Sequence, residues 1–251
     1  MNRPNFADNW NKKPLLTGFF IAASIYGSWQ FSPTRALWDS LDKIAFFFLN
    51  GLLVNNHTQQ VFWGIANSRF FDLIPGALLL LLFYYFAISQ KRQYLDTRLR
   101  QISCFLVITP TLLFLLNAWI ELPRLSPSQV LEPTLRLTEI APWAHPKDAS
   151  NNSFPGGHAV ILFLCAGYLW HRGGHRLGLA SLAISLLFIL PRMVAGAHWF
   201  SDVFVGSLVT SITALSILLY TPIEGYVDQM LLTIRTKIFV LLKTNTHPES
   251  R

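Results

Sequence analysis

Two histidines in this 251-residue chain stand where side chains could do chemistry. The stretch Pro191-Arg192-Met193-Val194-Ala195-Gly196-Ala197-His198-Trp199-Phe200-Ser201-Asp202 places a carboxylate four residues after an imidazole. On a helix that spacing predicts one shared face and hydrogen-bond reach. A carboxylate accepting from one ring nitrogen fixes the tautomer and leaves the other nitrogen free to attack or to take a proton. Taken alone, such a pair more often closes a polar gap in a helical bundle. Charged groups at the end of a membrane helix are costly, and that cost makes the pair a functional candidate. Gly196 predicts a break, with Arg192 ending one helix and His198 opening the next.

The second histidine closes Pro155-Gly156-Gly157-His158, at the mouth of a long apolar segment. Pro155 stops any preceding helix, and the two glycines leave their N–H groups uncovered. Those donors open a helix, where unpaired N–H groups and the dipole favour an anion. A cationic His158 in that first turn is disfavoured until an anion arrives, so phosphate is its natural partner. A plain glycine-rich turn before a span is the competing reading and has equal weight on this motif alone. Arg124, Lys147 and Asp148 belong to the polar connection between residues 121 and 157. Individually they read as solvated loop charges. Arg and Lys are also the side chains that clamp phosphate oxygens, Arg through its planar fork. With two histidines and an aspartate on the same side, they describe a phosphoryl-transfer site: cationic donors for the equatorial oxygens and a histidine attacking in line.

Something must bring these distant residues together. Hydrophobic residues make up 52% of the chain and charged ones 13%, with a mean hydropathy of +0.38. Apolar runs of roughly 18 or more residues read as membrane spans. Six segments qualify as helices of an all-α transmembrane bundle: Leu15–Phe31, Leu73–Ser89, Ile102–Ile120, His158–Trp170, Leu177–Met193 and Phe204–Tyr220. Leu15–Phe31 reads as an uncleaved first span rather than a signal peptide, since no clean small-x-small cleavage site precedes a soluble domain. Pro110 inside the third is a defect that neighbouring helices accommodate. The chain is read as one domain over residues 1–251. Leu37–Phe71 carries Asp39, Asp42, Lys43, Asn50 and His57, too polar for a span, and reads as an amphipathic or re-entrant cap on the outer face. Tyr226–Leu242 is amphipathic and reads as lying on the membrane surface.

Basic residues orient the bundle. Arg3, Lys12 and Lys13, the run Lys91–Arg100, Arg172–Arg176, and Arg235, Lys237 and Lys243 fall on one side if all six helices cross, which places both termini in the cytoplasm. The 121–157 connection and the Gly196–Ser201 turn then share the outer face. The net charge of +7 is explained by these orienting loops, and no basic run or motif points to nucleic acid. Cys104 and Cys165 lie inside apolar segments, with no disulfide framework and no metal-ligand spacing. His57, His145, His171, His175 and His247 have no comparable partners, and His171 and His175 fall on the cytoplasmic side.

These residues resemble the type 2 phosphatidic acid phosphatase (PAP2) superfamily. Its pattern has three parts: Lys-x6-Arg-Pro, Pro-Ser-Gly-His and Ser-Arg-x5-His-x3-Asp. The third is matched by Arg192, His198 and Asp202. The second is matched by Pro155 to His158, with Gly156 in place of serine. The first is degraded: Asn117 stands at the lysine position, Leu125 follows Arg124, and Lys147 is the candidate to supply the missing charge. The strings Lys147–Ser150, Ser153–Gly156 and Gly196–Phe200 are similar to one branch, the undecaprenyl-diphosphate:lipid A phosphotransferases of Gram-negative inner membranes. The resemblance implies undecaprenyl diphosphate as donor, lipid A as acceptor, and a periplasmic site. The expected mechanism makes His198 the nucleophile, Asp202 its orienting group and His158 the general acid and base, through a phosphohistidine. Arg192, Arg124, Lys147, Gly156 and Gly157 hold phosphate oxygens. No metal or cofactor is needed. A hydrolase of the same superfamily, acting on undecaprenyl diphosphate, phosphatidylglycerol phosphate or lipid A 1-phosphate with water as acceptor, has the same residues. A non-catalytic lipid carrier or assembly partner predicts decay of the catalytic set, and the third motif is whole. The two-histidine site is shared with vanadium haloperoxidases, against which six membrane helices argue.

Overall fold

A computed structural model describes residue 6 and residues 9–54, 56–89, 91–120 and 122–246. Arg3 and His247 lie outside the described residues, as does the side chain of Lys243. The described residues form helices, turns and isolated bridges, with no strand. In chain order the helices are α1 (Lys12–Gln30), α2 (Ser32–Asn50), α3 (His57–Ala66), α4 (Leu73–Ile88), α5 (Leu95–Ile120), two single turns α6 (Pro127–Val130) and α7 (Leu137–Ile140), then α8 (Gly157–Gly173), α9 (His175–Val194), α10 (Leu208–Tyr220) and α11 (Ile223–Thr246).

Each of the six apolar segments of the sequence becomes one helix: α1, α4, α5, α8, α9 and α10. Among the described residues, three stretches are long and apolar enough to cross a bilayer on length and composition: Arg92–Ile120, His175–Val194 and Asp202–Tyr220. Leu73–Ile88 is a shorter apolar helix. The capping segment contains more regular structure than its mixed composition announces. Phe31 is extended (φ −74°, ψ 121°) and Pro33 opens α2 just after it, which fits proline's preference for a helix's first turn. The 19-residue α2 then turns Asp42, Phe46 and Asn50 inward, four residues apart.

Successive helices run in alternating directions, and this gathers the chemistry. The end that holds Asp72 at the start of α4 also holds Ile120, Gly157, Val194 and the turn before α10. At the opposite end Asn11 N–H donates to the Tyr220 carbonyl at 2.9 Å, His171 meets Tyr220, and His175 meets Trp170. Arg100 pairs with Asp228, Arg172 with Glu224 and Arg235 with Asp96 there, which fastens amphipathic α11 to the bundle. The two histidines assigned to the cytoplasmic side are thus far from the others. α11 is one longer helix than the Tyr226–Leu242 segment read from the sequence.

Helix α8 lies deepest. Tyr168 is fully buried, ringed by Phe83, Phe86 and Phe105, and its hydroxyl donates to the Gln101 carbonyl. Lipid tails are as apolar as leucine, so helices in a membrane adhere through packing and interhelical hydrogen bonds rather than through loss of water. Ser185 donates to the Leu162 carbonyl and Ser211 to the Val160 carbonyl, each at 3.0 Å. Such bonds contribute about 1 kcal/mol apiece. They hold α9 and α10 against α8, the helix that opens with Pro155-Gly156-Gly157-His158.

Candidate active site

His198 sits in the turn between α9 and α10. Gly196 makes the turn, at φ +71°, and a Cβ there would stand 2.7 Å from Phe46 and 3.0 Å from Ser128. Only glycine meets both demands. Helix α9 ends at Val194, so Arg192 closes one helix as expected. His198 precedes the next helix instead of opening it, and this changes its relation to Asp202. The His198 Nδ1–Asp202 Oδ2 separation is 3.8 Å, beyond a hydrogen bond. Nδ1 lies 2.9 Å from the Ser153 carbonyl. A carbonyl only accepts, so the hydrogen is on Nδ1 and the Nε2 lone pair is free. The Ser153 backbone, not Asp202, sets the tautomer.

Asp202 is fully buried and engaged elsewhere. Oδ2 accepts from the Trp199 N–H at 2.8 Å, capping the next helix, and Oδ1 accepts from Arg124 Nη1 at 2.6 Å. Residues 202–207 form a π-helical turn, a local underwinding common at functional sites. Arg124 Nη2 reaches Asp42 at 2.7 Å, and Nη1 also meets the Ser201 hydroxyl. Asp42 in turn accepts from the Ser201 N–H and hydroxyl, each at 2.7 Å. Burial pushes the Asp42 carboxyl above its ordinary value, against the pull of Ser201 and Arg124. Arg124 is therefore a strut between two buried carboxylates, and it does not line the cavity that His198 faces. Both of its outer nitrogens are engaged by carboxylates and Ser201.

That cavity holds about 580 Å³ and is lined by His158, His198, Arg192, Lys147, Asn117 and Gly157, together with Arg69, Asp72, Ser150, Asn152, Phe154 and Pro155. It brings together five of the sequence's candidates: His198, His158, Arg192, Lys147 and Gly157. Asn117, the degraded lysine position, also lines it. Gly157 begins α8 and lines the wall, whereas the Gly156 N–H donates back to the Asp202 carbonyl at 3.3 Å. Of the two glycines expected to offer donors, Gly156 has its N–H occupied. Asp148 faces away from the cavity and is fully engaged by the Arg136 guanidinium and by the Thr138 N–H and hydroxyl. Burial pushes the Asp148 carboxyl up, and those three donors outweigh it, so the carboxyl stays below its ordinary value.

The sequence reading missed Asn67, Arg69 and Asp72. Arg192 Nη2 meets Asp72 at 2.6 Å, and Nη1 meets the Asn67 side-chain oxygen at 2.8 Å and its carbonyl at 3.1 Å. The Asn67 amide donates to the Lys147 carbonyl at 2.8 Å, so one buried asparagine positions both cations. The signal was available. Asn67-Ser68-Arg69 and Asp72 crowd polar groups at the mouth of an apolar run, the same oddity that marks Pro155 to His158. Among the described residues, neither Arg69 nor Lys147 donates a side-chain hydrogen bond, and no group of three His, Cys, Asp or Glu could hold a metal ion.

A helical bundle with two histidines and three cationic side chains around one cavity has the parts for phosphoryl transfer without a metal: a nucleophile, an acid and a charge clamp. Comparisons with known proteins agree on the class. Residues 126–225 match the family model described as PAP2 superfamily. The chain is 30% identical over 208 residues to the lipid A 1-diphosphate synthase of Escherichia coli (strain K12), covering 81% of this chain and 86% of that one. The chain belongs to the PAP2 superfamily and is a membrane enzyme of that type. The crystal structure of a transmembrane PAP2-type phosphatidylglycerolphosphate phosphatase from Bacillus subtilis is also similar, at 16% identity and a TM-score of 0.40, over 86% of this chain and 96% of that one. That likeness is too loose to argue from.

Proposed function

We propose that this enzyme transfers the terminal phosphoryl group of undecaprenyl diphosphate to the 1-phosphate of lipid A, at the periplasmic face of a bacterial inner membrane. The observation that carries the chemistry is the bond from His198 Nδ1 to the Ser153 carbonyl. It leaves Nε2 as a nucleophile on a cavity shared with His158, Arg192 and Lys147. The choice of donor and acceptor rests on the 30% identity to a lipid A 1-diphosphate synthase.

In the first half-reaction Nε2 attacks the terminal phosphorus, and the bond to the bridging oxygen breaks. That oxygen leaves as undecaprenyl phosphate, taking a proton from His158. The phosphoryl group then sits on His198, its oxygens facing Arg192, Lys147 and Arg69. In the second half-reaction an oxygen of the lipid A 1-phosphate attacks the same phosphorus, His158 accepts any proton it carries, and His198 is restored. The six apolar helices all cross the membrane in this reading, and the basic end, with Lys12, Lys13, Arg92, Arg100 and Arg172, faces the cytoplasm.

The test is purified protein in detergent with undecaprenyl diphosphate, with and without lipid A, following free phosphate and lipid A diphosphate separately. Lipid A diphosphate with little free phosphate is expected. Free phosphate released at the same rate whether or not lipid A is present would make the enzyme a phosphatase.

A further inference from the structure

A second cavity of about 960 Å³ opens beside the first, and Arg69 and Lys147 line both. Its remaining wall is mostly apolar, from Phe70, Leu73, Pro142 and Ala149. Phe70 is 81% and Leu73 70% exposed, a wide apolar lip beside a cluster of charge. Arg69, Arg136, His145 and Lys147 supply the basic groups, and the one carboxylate in the lining, Asp148, is already saturated. Arg136 spends one outer nitrogen on Asp148, and its Nε is buried with no acceptor among the described residues. His145 is held at φ +48° after a single helical turn, a conformation rare for a side-chain-bearing residue.

The lining has the chemistry of an anionic headgroup with hydrocarbon attached. Its place next to the histidine cavity says which one. A histidine that passes a phosphoryl group between two lipids must meet both phosphates at the same Nε2. The first product, a lipid phosphate, still carries its chain when the second lipid arrives. Two cavities that share a cationic wall let one phosphate approach His198 while each lipid keeps its own seat.

We propose that this second cavity is the acceptor subsite. It seats the phosphorylated sugar headgroup of lipid A, with Arg69 and Lys147 guiding its 1-phosphate toward His198. Arg136 and His145 face the rest of the headgroup, and Phe70 and Leu73 border its acyl chains. The inference rests on the transfer reading above and deepens it, since a hydrolase has no use for an acceptor seat.

Equilibrium binding tests it apart from turnover. In a His198→Ala background, in detergent, the Kd of lipid A and of undecaprenyl diphosphate are each measured, then remeasured after His145→Asp and after Ala149→Trp. Aspartate tolerates the positive φ and adds a negative charge; tryptophan fills the cavity. Neither replaces a residue of the shared wall. Lipid A affinity should fall at least about tenfold in both variants, with undecaprenyl diphosphate affinity held within about twofold as the control for folding. Unchanged lipid A affinity in both variants, equal loss of both lipids, or no lipid A binding to the parent overturns the proposal. If the active enzyme releases only free phosphate while lipid A binding still depends on residues 145 and 149, the transfer reading fails and the lipid A site stands.

Discussion

His198 gives its Nδ1 hydrogen to the carbonyl of Ser153 at 2.9 Å, while the carboxylate of Asp202 stands off at 3.8 Å. The two possible orienting groups respond differently to substitution. Asp202→Asn leaves the Ser153 bond and the tautomer in place, removes the charge that steadies an imidazolium or phosphohistidine, and also weakens the contacts to Arg124 and the Trp199 N–H. Its kcat should fall about 100-fold with little change in KM, by loss of a charge–charge contact that strengthens in the transition state. His198→Ala should lose all turnover and all acid-labile labelling from radiolabelled donor. If Asp202→Asn is as dead as His198→Ala, Asp202 acts directly on the nucleophile and the backbone carbonyl is incidental.

His198 must be unprotonated at Nε2 to attack, and His158 must be protonated to expel the leaving oxygen. Opposite demands on two imidazoles give a bell-shaped profile of kcat/KM against pH. Replacing His158 with Gln should lower kcat by 10² to 10⁴, roughly the worth of a positioned general acid, and should abolish the alkaline limb while the acidic limb stays. A wild-type rate that is flat from about pH 5 to 9 would remove both assignments.

Arg124 distinguishes a strut from a ligand. A phosphate-binding arginine, once removed, raises KM and leaves stability alone. Arg124 instead lies between Asp42 and Asp202, both buried. Arg124→Gln leaves two buried carboxylates without a counter-charge, and breaking a buried pair this way costs about 3–5 kcal/mol. The measurement is thermal unfolding in detergent, with a drop of several degrees expected. The double variant Asp42→Asn, Arg124→Gln should recover part of it. An unchanged melting temperature with a raised KM would return Arg124 to the phosphate.

Which parts of this arrangement were legible in the sequence follows from the range of the interactions. The six apolar helices were readable because each is written in a contiguous run of side chains. His158, His198, Arg192 and Lys147 were readable because costly polar residues interrupt or border those runs. The partners of Arg124 were not legible because Asp42 and Asp202 are 82 and 78 residues away, and no local spacing announces them. The gap between His198 and Asp202 was not legible for a subtler reason. The four-residue spacing implies a shared helical face only if residue 198 is already helical, and the Gly196 turn delays the helix by about half a turn. Asn67 and Asp72 were missed because the segment around them reads as a cap, although both serve the Arg192 guanidinium.

Asp148 supports the loop beside the cavity and should show it in acid. Its carboxyl is held below its ordinary value in the folded protein. The unfolded chain therefore takes up its proton first as pH falls, and the stabilisation is present above the usual carboxylate range and lost as pH drops through the folded value. Relative to the intrinsic exchange rate at each pH, protection across residues 127–149 should fall below about pH 4, ahead of the helices. Asp148→Asn should produce the same loosening at neutral pH. Exchange in that loop that is indifferent to both acid and substitution would show that Arg136 and Thr138 hold nothing there.

Gly156 tests how far the departure from the superfamily's serine matters. Its backbone is ordinary (φ −70°), so no conformational demand keeps glycine there. A Cβ would meet Ser207 Oγ at 3.2 Å, His198 Nδ1 at 3.7 Å and Ala159 Cβ at 3.8 Å. The first contact is tight by a few tenths of an ångström, and Ser207 is a small side chain bonded to the Gly156 and Asp202 carbonyls at 3.0 Å each. Serine therefore fits with a slight shift, whereas the second γ-branch of valine must displace either Ser207 or the His198 ring. Gly156→Ser should fold normally and keep at least about a tenth of kcat. Gly156→Val should lose about 100-fold or more, since a displacement of the nucleophile by about 1 Å costs that much. Equal activity in the two variants would show that the space beside His198 is not what limits residue 156. A larger loss with serine than with valine would point instead to a hydroxyl competing for the Nδ1 hydrogen that Ser153 now receives.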